Sequence, residues 1–128
     1  MQTRTKTVLL VEDDAAHAEL IHLSFEPRDD IELVIASSLG EARGRLADAP
    51  PDLLILDSLL PDGRGVELLE ALPAVDYPII LLTSHADEAM ESQALAAGAT
   101  RYVVKSEVTL LEMPELADGV WRETGVDS

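Results

Sequence analysis

The sequence predicts an α/β fold, a doubly wound five-stranded parallel sheet with helices on both faces. Three observations lead there. Short runs of Val, Ile and Leu recur along the chain, and stretches with helical spacing lie between them. The runs are apolar at successive positions, as strands covered by helices on both sides must be. The chain has 128 residues and is 47% hydrophobic, the usual size of one domain with one packed core.

Taken in order, the first strand is "TVLLV" (7 to 11), followed by a helix whose inner positions are Ala18, Ile21 and Phe25. The second strand is "ELVIA" (32 to 36). "SLGE", Ser38 to Glu41, is a capping-box pattern that opens the second helix, with Leu39, Ala42 and Leu46 facing inward. "DLLIL" (52 to 56) is the third strand, and Val66, Leu69 and Leu72 mark the third helix. "PIILLT" (78 to 83) is the fourth strand; Ala89, Ala94 and Ala97 mark the fourth helix, which Gly98 should stop. "RYVV" (101 to 104) is the fifth strand. Pro114 suits a first helical turn and not an interior, so the last helix is expected to begin near Glu112 to Pro114, after an irregular "SEVTLL". Its apolar stripe is Leu116, Ala117, Val120 and Trp121, with Trp121 expected in the core. The domain is read as 6 to 122, between loose ends at 1 to 5 and 123 to 128.

Composition removes several function classes. With 25 Asp and Glu against 9 Lys and Arg the formal charge is -16, which repels phosphate backbones and anionic lipid, so direct nucleic-acid binding is not expected. The absence of cysteine excludes disulfides, thiolate metal sites and a thiol nucleophile. The N-terminus lacks a signal-like apolar core, and no run approaches the ~20 apolar residues of a membrane span. A soluble cytoplasmic protein is expected. The only lysines are Lys6 and Lys105, and such an acidic excess with few lysines resembles halophile proteins.

In an open parallel sheet, ligands bind beyond the carboxyl ends of the strands. There the first strand delivers Glu12 and Asp13, the third Asp57, the fourth Thr83 and the fifth Lys105. An acid after a strand is commonly a turn former or helix cap, and Asp14 fits that role. The set as a whole has a chemical logic. Three crowded carboxylates repel one another and are held ionised by a hard cation such as Mg²⁺. One of them can then act as nucleophile, and Asp57, on a central strand, is best placed. Attack on a phosphoryl group gives an aspartyl phosphate whose charge is shared with the metal, Lys105 and the Thr83 hydroxyl.

The order "LLVEDD", "LLILDSLLPDGRG", "IILLTS" and "RYVVKS" resembles the receiver domain of two-component response regulators, of the chemotaxis-receiver type, across essentially the whole chain. The resemblance implies a flavodoxin-like sheet of order 2-1-3-4-5. It implies Glu12 and Asp13 as metal-binding acids with Asp57 as phosphoacceptor, and the backbone carbonyl of Leu59 as a further Mg²⁺ ligand. It assigns Thr83 and Lys105 to the phosphate, and Thr83 with Tyr102 to a switch. It also implies a histidine kinase or histidine phosphotransfer protein as donor, and a downstream protein target or fused output domain.

Receivers usually follow the lysine with proline, often cis, where this chain has Ser106; a non-proline cis bond costs about 2.5 to 4 kcal/mol, which leaves a trans Lys105–Ser106 bond open. His17 and His22, five apart, share no helical face and read as surface residues. His85, two after Thr83, sits where receivers place a side chain that influences phosphate lifetime. Other functions fit less well. A haloacid-dehalogenase-type phosphohydrolase needs a second aspartate where Leu59 stands. A flavin binder would need a Gly- and Ser/Thr-rich loop in place of "EDDAAH". The remaining alternative is a receiver-like interaction module that is never phosphorylated, against which the complete acid and lysine set argues.

Overall fold

A computed structural model describes residues 4–125. The outer parts of the two expected loose ends, 1 to 3 and 126 to 128, lie outside the described residues. Strand β1 is Lys6–Val11, β2 Ile31–Ala36, β3 Leu53–Asp57, β6 Ile79–Thr83 and β7 Arg101–Val104; between β3 and β6 two short strands, β4 (Leu59–Leu60) and β5 (Gly63–Arg64), form an antiparallel hairpin. The helices are α1 (Ala15–Phe25), α2 (Leu39–Asp48), α3 (Gly65–Ala71), α4 (Glu88–Ala96), α5 (Glu107–Leu111) and α6 (Met113–Thr124). The main sheet is parallel throughout, in the order β2-β1-β3-β6-β7, which is 2-1-3-4-5 counted over its own strands.

The side-chain period of two along each strand divides the core cleanly. Val8, Leu10, Leu53, Ile55, Ile80 and Leu82 face Ile21 and Phe25 of α1 and Met113, Ala117 and Trp121 of α6. Leu9, Val11, Leu54, Leu56 and Leu81 face Leu39 and Ala42 of α2 and Leu68 and Leu69 of α3. β3 is central and buried at all five positions, Asp57 included. A strand covered on both faces must be apolar at successive positions, which is the pattern of Leu53 to Leu56.

Trp121 is fully buried, and its Nε1 donates to the Asp52 carbonyl at 2.9 Å. The Asp52 carboxylate in turn accepts from the Thr7 amide at 2.7 Å and from the Arg4 guanidinium. This cluster fastens β1, β3 and α6 at the amino end of the sheet. The α4 helix is held more lightly, since Ala94 is its one buried residue.

The segment after Lys105 differs from expectation. "SEVTLL" is not irregular: Glu107–Leu111 form a short helix capped by Ser106, whose Oγ accepts from the Thr109 amide at 3.1 Å while Thr109 Oγ1 accepts from the Ser106 amide at 2.8 Å. Threonine here takes the reciprocal role usually given to Glu or Gln. Glu112 ends this helix, and α6 follows at once with Pro114 in its first turn, as its missing N–H allows. No peptide bond among the described residues is cis, so Lys105–Ser106 is trans.

A surface bearing -16 repels itself, and at 0.15 M ionic strength the screening length of about 8 Å leaves neighbouring charges coupled. Added KCl is expected to raise the melting temperature steadily from about 0.1 M to about 2 M. A flat profile would reject salt adaptation and leave the acidity as a solubility feature.

Candidate functional site

The carboxyl ends of β1, β3, β6 and β7 meet at one edge of the sheet, where a cleft of about 760 Å³ is lined by Asp13, His17, Asp57, Leu59, Thr83, His85 and Lys105 among others. Continuing ladder bonds place the residues just past the strand tips: the Glu12 amide donates to Ala36 O at 2.9 Å, the Ser58 amide to Leu82 O at 2.7 Å and the Lys105 amide to Thr83 O at 2.7 Å. Five of the residues singled out from sequence, Glu12, Asp13, Asp57, Thr83 and Lys105, therefore stand at one edge because four strands end in register. Glu12 and Asp57 are buried, while Asp13 is exposed at the mouth.

Lys105 Nζ donates to Asp57 Oδ2 at 2.9 Å and lies 2.6 Å from Glu12 Oε1. One ammonium thus faces two carboxylates. Burial and the neighbouring Asp57 push the Glu12 carboxyl up to about 7, although Lys105 pulls the other way. Burial opposes the Lys105 charge, but its bonds to Glu12 and Asp57 outweigh that and hold its pKa above the usual value. Glu12 Oε1 is buried and has no donor aligned on it for a hydrogen bond.

Oxygens of Glu12, Asp13 and Asp57 lie within 4.8 Å of one another, so the three carboxylates present an oxygen donor set with excess negative charge. Such a set suits a hard divalent cation that keeps several waters. The buried, poorly satisfied Glu12 oxygen is what such a cation would neutralise. Glu12→Gln follows as a test in metal-free buffer. The folded Glu12 pKa of about 7 exceeds its unfolded value near 4.5, so its contribution to stability is fully present below the unfolded value and is lost as pH rises through about 7. The variant should therefore gain over wild type between about pH 5 and pH 8, by on the order of 1 kcal/mol. Paired thermal melts read this gap, and saturating Mg²⁺ should reverse it, since the wild type then gains binding free energy.

The β4–β5 hairpin builds one wall. It carries the Leu59 carbonyl and turns at Asp62, whose carboxylate accepts from the Leu39 and Gly40 amides at 2.8 and 2.9 Å. The hairpin is thereby latched to the amino end of α2, and those bonds hold the Asp62 carboxyl below the usual carboxylate range. Gly65 follows, with its amide on the Ser58 carbonyl at 2.9 Å. A Cβ at Gly65 would fall 2.2 Å from the Asp57 carbonyl oxygen, so only glycine lets the chain pass so close behind the strand tip.

The other wall is the β6–α4 connection. Thr83 Oγ1 donates to the His85 carbonyl at 3.1 Å, and the Tyr102 hydroxyl donates to the same carbonyl at 3.3 Å. Sequence reasoning paired Thr83 with Tyr102 by resemblance; the shared acceptor is a contact that spacing alone could not give. It misplaced one residue. His17 is only half-buried, yet it is a site neighbour, with Nδ1 3.2 Å from Lys105 Nζ. α1 begins at Ala15, so His17 lies in the first turn, where side chains tilt back toward the amino end of the helix and hence the cleft. Knowing that the helix starts two residues earlier would have pointed to it. His22, one and a half turns on, is exposed as expected.

A parallel sheet of this order, with an aspartate at its central strand tip flanked by two acids and a lysine, is the architecture of a receiver-type signalling module. The chain belongs to the response regulator receiver domain family, whose description matches residues 8–115. It is 38% identical over 127 residues to the methanogenesis regulatory protein FilR1 of Methanothrix harundinacea (strain 6Ac), covering 91% of this chain and 28% of that protein. It is 36% identical over 104 residues to the phosphate regulon transcriptional regulatory protein PhoB of Pseudomonas aeruginosa, covering 78% of this chain and 45% of that one. The chain thus spans less than half of these curated relatives. Among solved structures it is similar to a CheY-like receiver domain protein from Methanospirillum hungatei JF-1 (TM-score 0.76, 30% identity, 93% of this chain and 98% of that one). It is also similar to the Mn²⁺-bound form of response regulator Rcp1 (TM-score 0.79, 26% identity, 91% and 94%). No helix among the described residues is long and apolar enough to cross a membrane.

Proposed function

We propose that Asp57 accepts a phosphoryl group from the phosphohistidine of a histidine kinase or histidine phosphotransfer protein, and that the aspartyl phosphate changes a protein-binding surface. The observation that carries this reading is the Lys105 ammonium 2.9 Å from Asp57 Oδ2, inside a cluster of carboxylates that together can hold a cation. In the transfer a carboxylate oxygen of Asp57 attacks phosphorus, the P–O bond forms as the P–N bond breaks, and the electron pair leaves on the donor imidazole, which takes up a proton. Glu12, Asp13, Asp57 and the Leu59 carbonyl would hold Mg²⁺, which when bound supplies charge neutralisation to the phosphoryl oxygens.

Lys105 keeps its ammonium beside the Asp57 carboxylate, where a phosphoryl oxygen can take over the hydrogen bond now on Oδ2. Thr83 offers its hydroxyl to a phosphoryl oxygen by turning it away from the His85 carbonyl, and Tyr102, on the same carbonyl, follows that change. The shift is limited by how differently phosphate interacts with the two arrangements. A downstream protein target or an attached output domain would read it. The acidic surface makes nucleic acid an unfavourable direct partner. Incubation with acetyl phosphate and Mg²⁺, read by intact mass, tests the reading. A chain that gains no phosphoryl group would instead be a receiver-shaped interaction module.

A further inference from the structure

We infer that His17 is a positioning residue of this site, holding the Lys105 ammonium on the cleft side of Asp57 through an uncharged imidazole nitrogen. The inference rests on the phosphoacceptor reading of Asp57, which assigns His17 no role.

Lys105 Nζ has three N–H donors and no acceptor, so the His17 Nδ1 at 3.2 Å must be the accepting nitrogen, and a neutral ring then carries its proton on Nε2. The ammonium has two other neighbours, Asp57 Oδ2 at 2.9 Å and Glu12 Oε1 at 2.6 Å, both carboxylate oxygens. Glu12 lies deeper, with a side chain wholly shielded from water, whereas the His17 side chain is 34% exposed. Glu12 therefore draws the ammonium inward, beneath the strand tips, and His17 draws it outward, toward the space a phosphoryl group would occupy. A neutral acceptor suits that place. His17 Nδ1 also lies 3.8 Å from Asp14 Oδ2 and 3.9 Å from Glu12 Oε1. A further carboxylate in its place would therefore add to the charge facing the incoming phosphoryl oxygens, and an aliphatic side chain would remove the neutral acceptor from the ammonium.

The ring has room for this task. His17 lines both the main cleft and a smaller adjoining cavity between α1 and α5, bounded by Leu20, Ser106 and Leu110. When a phosphoryl oxygen takes over the N–H now on Asp57, the bond to His17 can persist, so the lysine is held at one point while its partner changes.

Two variants separate an acceptor role from mere packing. His17→Asn keeps an acceptor oxygen close to the position of Nδ1; His17→Leu fills similar space without one. With acetyl phosphate and Mg²⁺, His17→Leu should be labelled about 5-fold more slowly than wild type, the rate equivalent of one ordinary hydrogen bond, and His17→Asn within about 2-fold of it. Calorimetric Mg²⁺ affinity should be unchanged within about 2-fold in both. Equal rates in all three proteins would overturn the inference. So would His17→Asn as slow as His17→Leu, or a loss of Mg²⁺ affinity that accounts for the lost rate. Nitrogen NMR of the wild-type ring provides an arm independent of labelling and of variant folding: the Nε2-protonated tautomer with Nδ1 accepting is expected, and a ring protonated on Nδ1 would overturn the inference. If wild type gains no phosphoryl group, the phosphoacceptor reading fails, while the tautomer still decides the His17 contact.

Discussion

Replacing Asp57 with asparagine should eliminate phosphoryl labelling completely. The amide keeps nearly the shape of the carboxylate but removes the nucleophilic oxygen, and it takes one negative charge from a site where Glu12 and Asp57 share a single lysine. Wild type incubated with acetyl phosphate and Mg²⁺ should gain the mass of one phosphoryl group, and the variant none. The variant should nonetheless fold, because removing one of two carboxylates around Lys105 lessens repulsion in the metal-free site. Retained labelling, mapped by peptide mass to Asp13 or Asp14, would move the acceptor to the first strand and undo the assignment of Asp57.

The second large effect comes from a residue with no chemistry of its own. Gly65→Ala puts a methyl group 2.2 Å from the Asp57 carbonyl oxygen and 3.1 Å from Leu56 Cγ, and the nearer atom is backbone, which cannot swing aside. Overpacking of this kind costs on the order of 3 kcal/mol, a fall in melting temperature of roughly 10 °C for a domain of this size. If the chain yields instead, the tip of β3 must move and labelling of Asp57 must slow. A suitable control is Gly44→Ala on α2, where an added Cβ meets nothing within 4 Å and helix propensity favours alanine by up to about 1 kcal/mol. Equal melting temperatures and labelling rates for the two variants would show that Gly65 is not a steric requirement.

What the sequence made legible follows from how far each feature depends on neighbours. The five main strands were readable because burial on both faces imposes an unbroken apolar run, and the site was readable because parallel strands place their tips together. The short helix after Lys105 was not. Its Ser106 cap pairs with Thr109 in place of an acid, and only Leu110 of its five residues is fully buried, so periodicity had too little length to register. The β4–β5 hairpin is two residues on each side, below any pattern length, and it depends on Asp62 reaching the amides of α2. His17 was missed for another reason: the start of α1 turns it toward the cleft, but its contact with Lys105, 88 residues away in sequence, forms only once β1, α1 and β7 are assembled.

The two sides of the cleft also differ in how firmly they are held. On one side, the hairpin is latched to α2 by Asp62 and braced behind the strand tip at Gly65. On the other, Ser84 to Asp87 are exposed, the side-chain bonds run mainly within the loop or to Tyr102, and the helix beyond buries only Ala94. Mechanically this is a vice with one fixed jaw and one sprung jaw. Strain introduced at Asp57 has a stiff path toward α2 and a compliant one toward α4, and displacement follows compliance. The direction of any displacement is therefore built into the resting molecule.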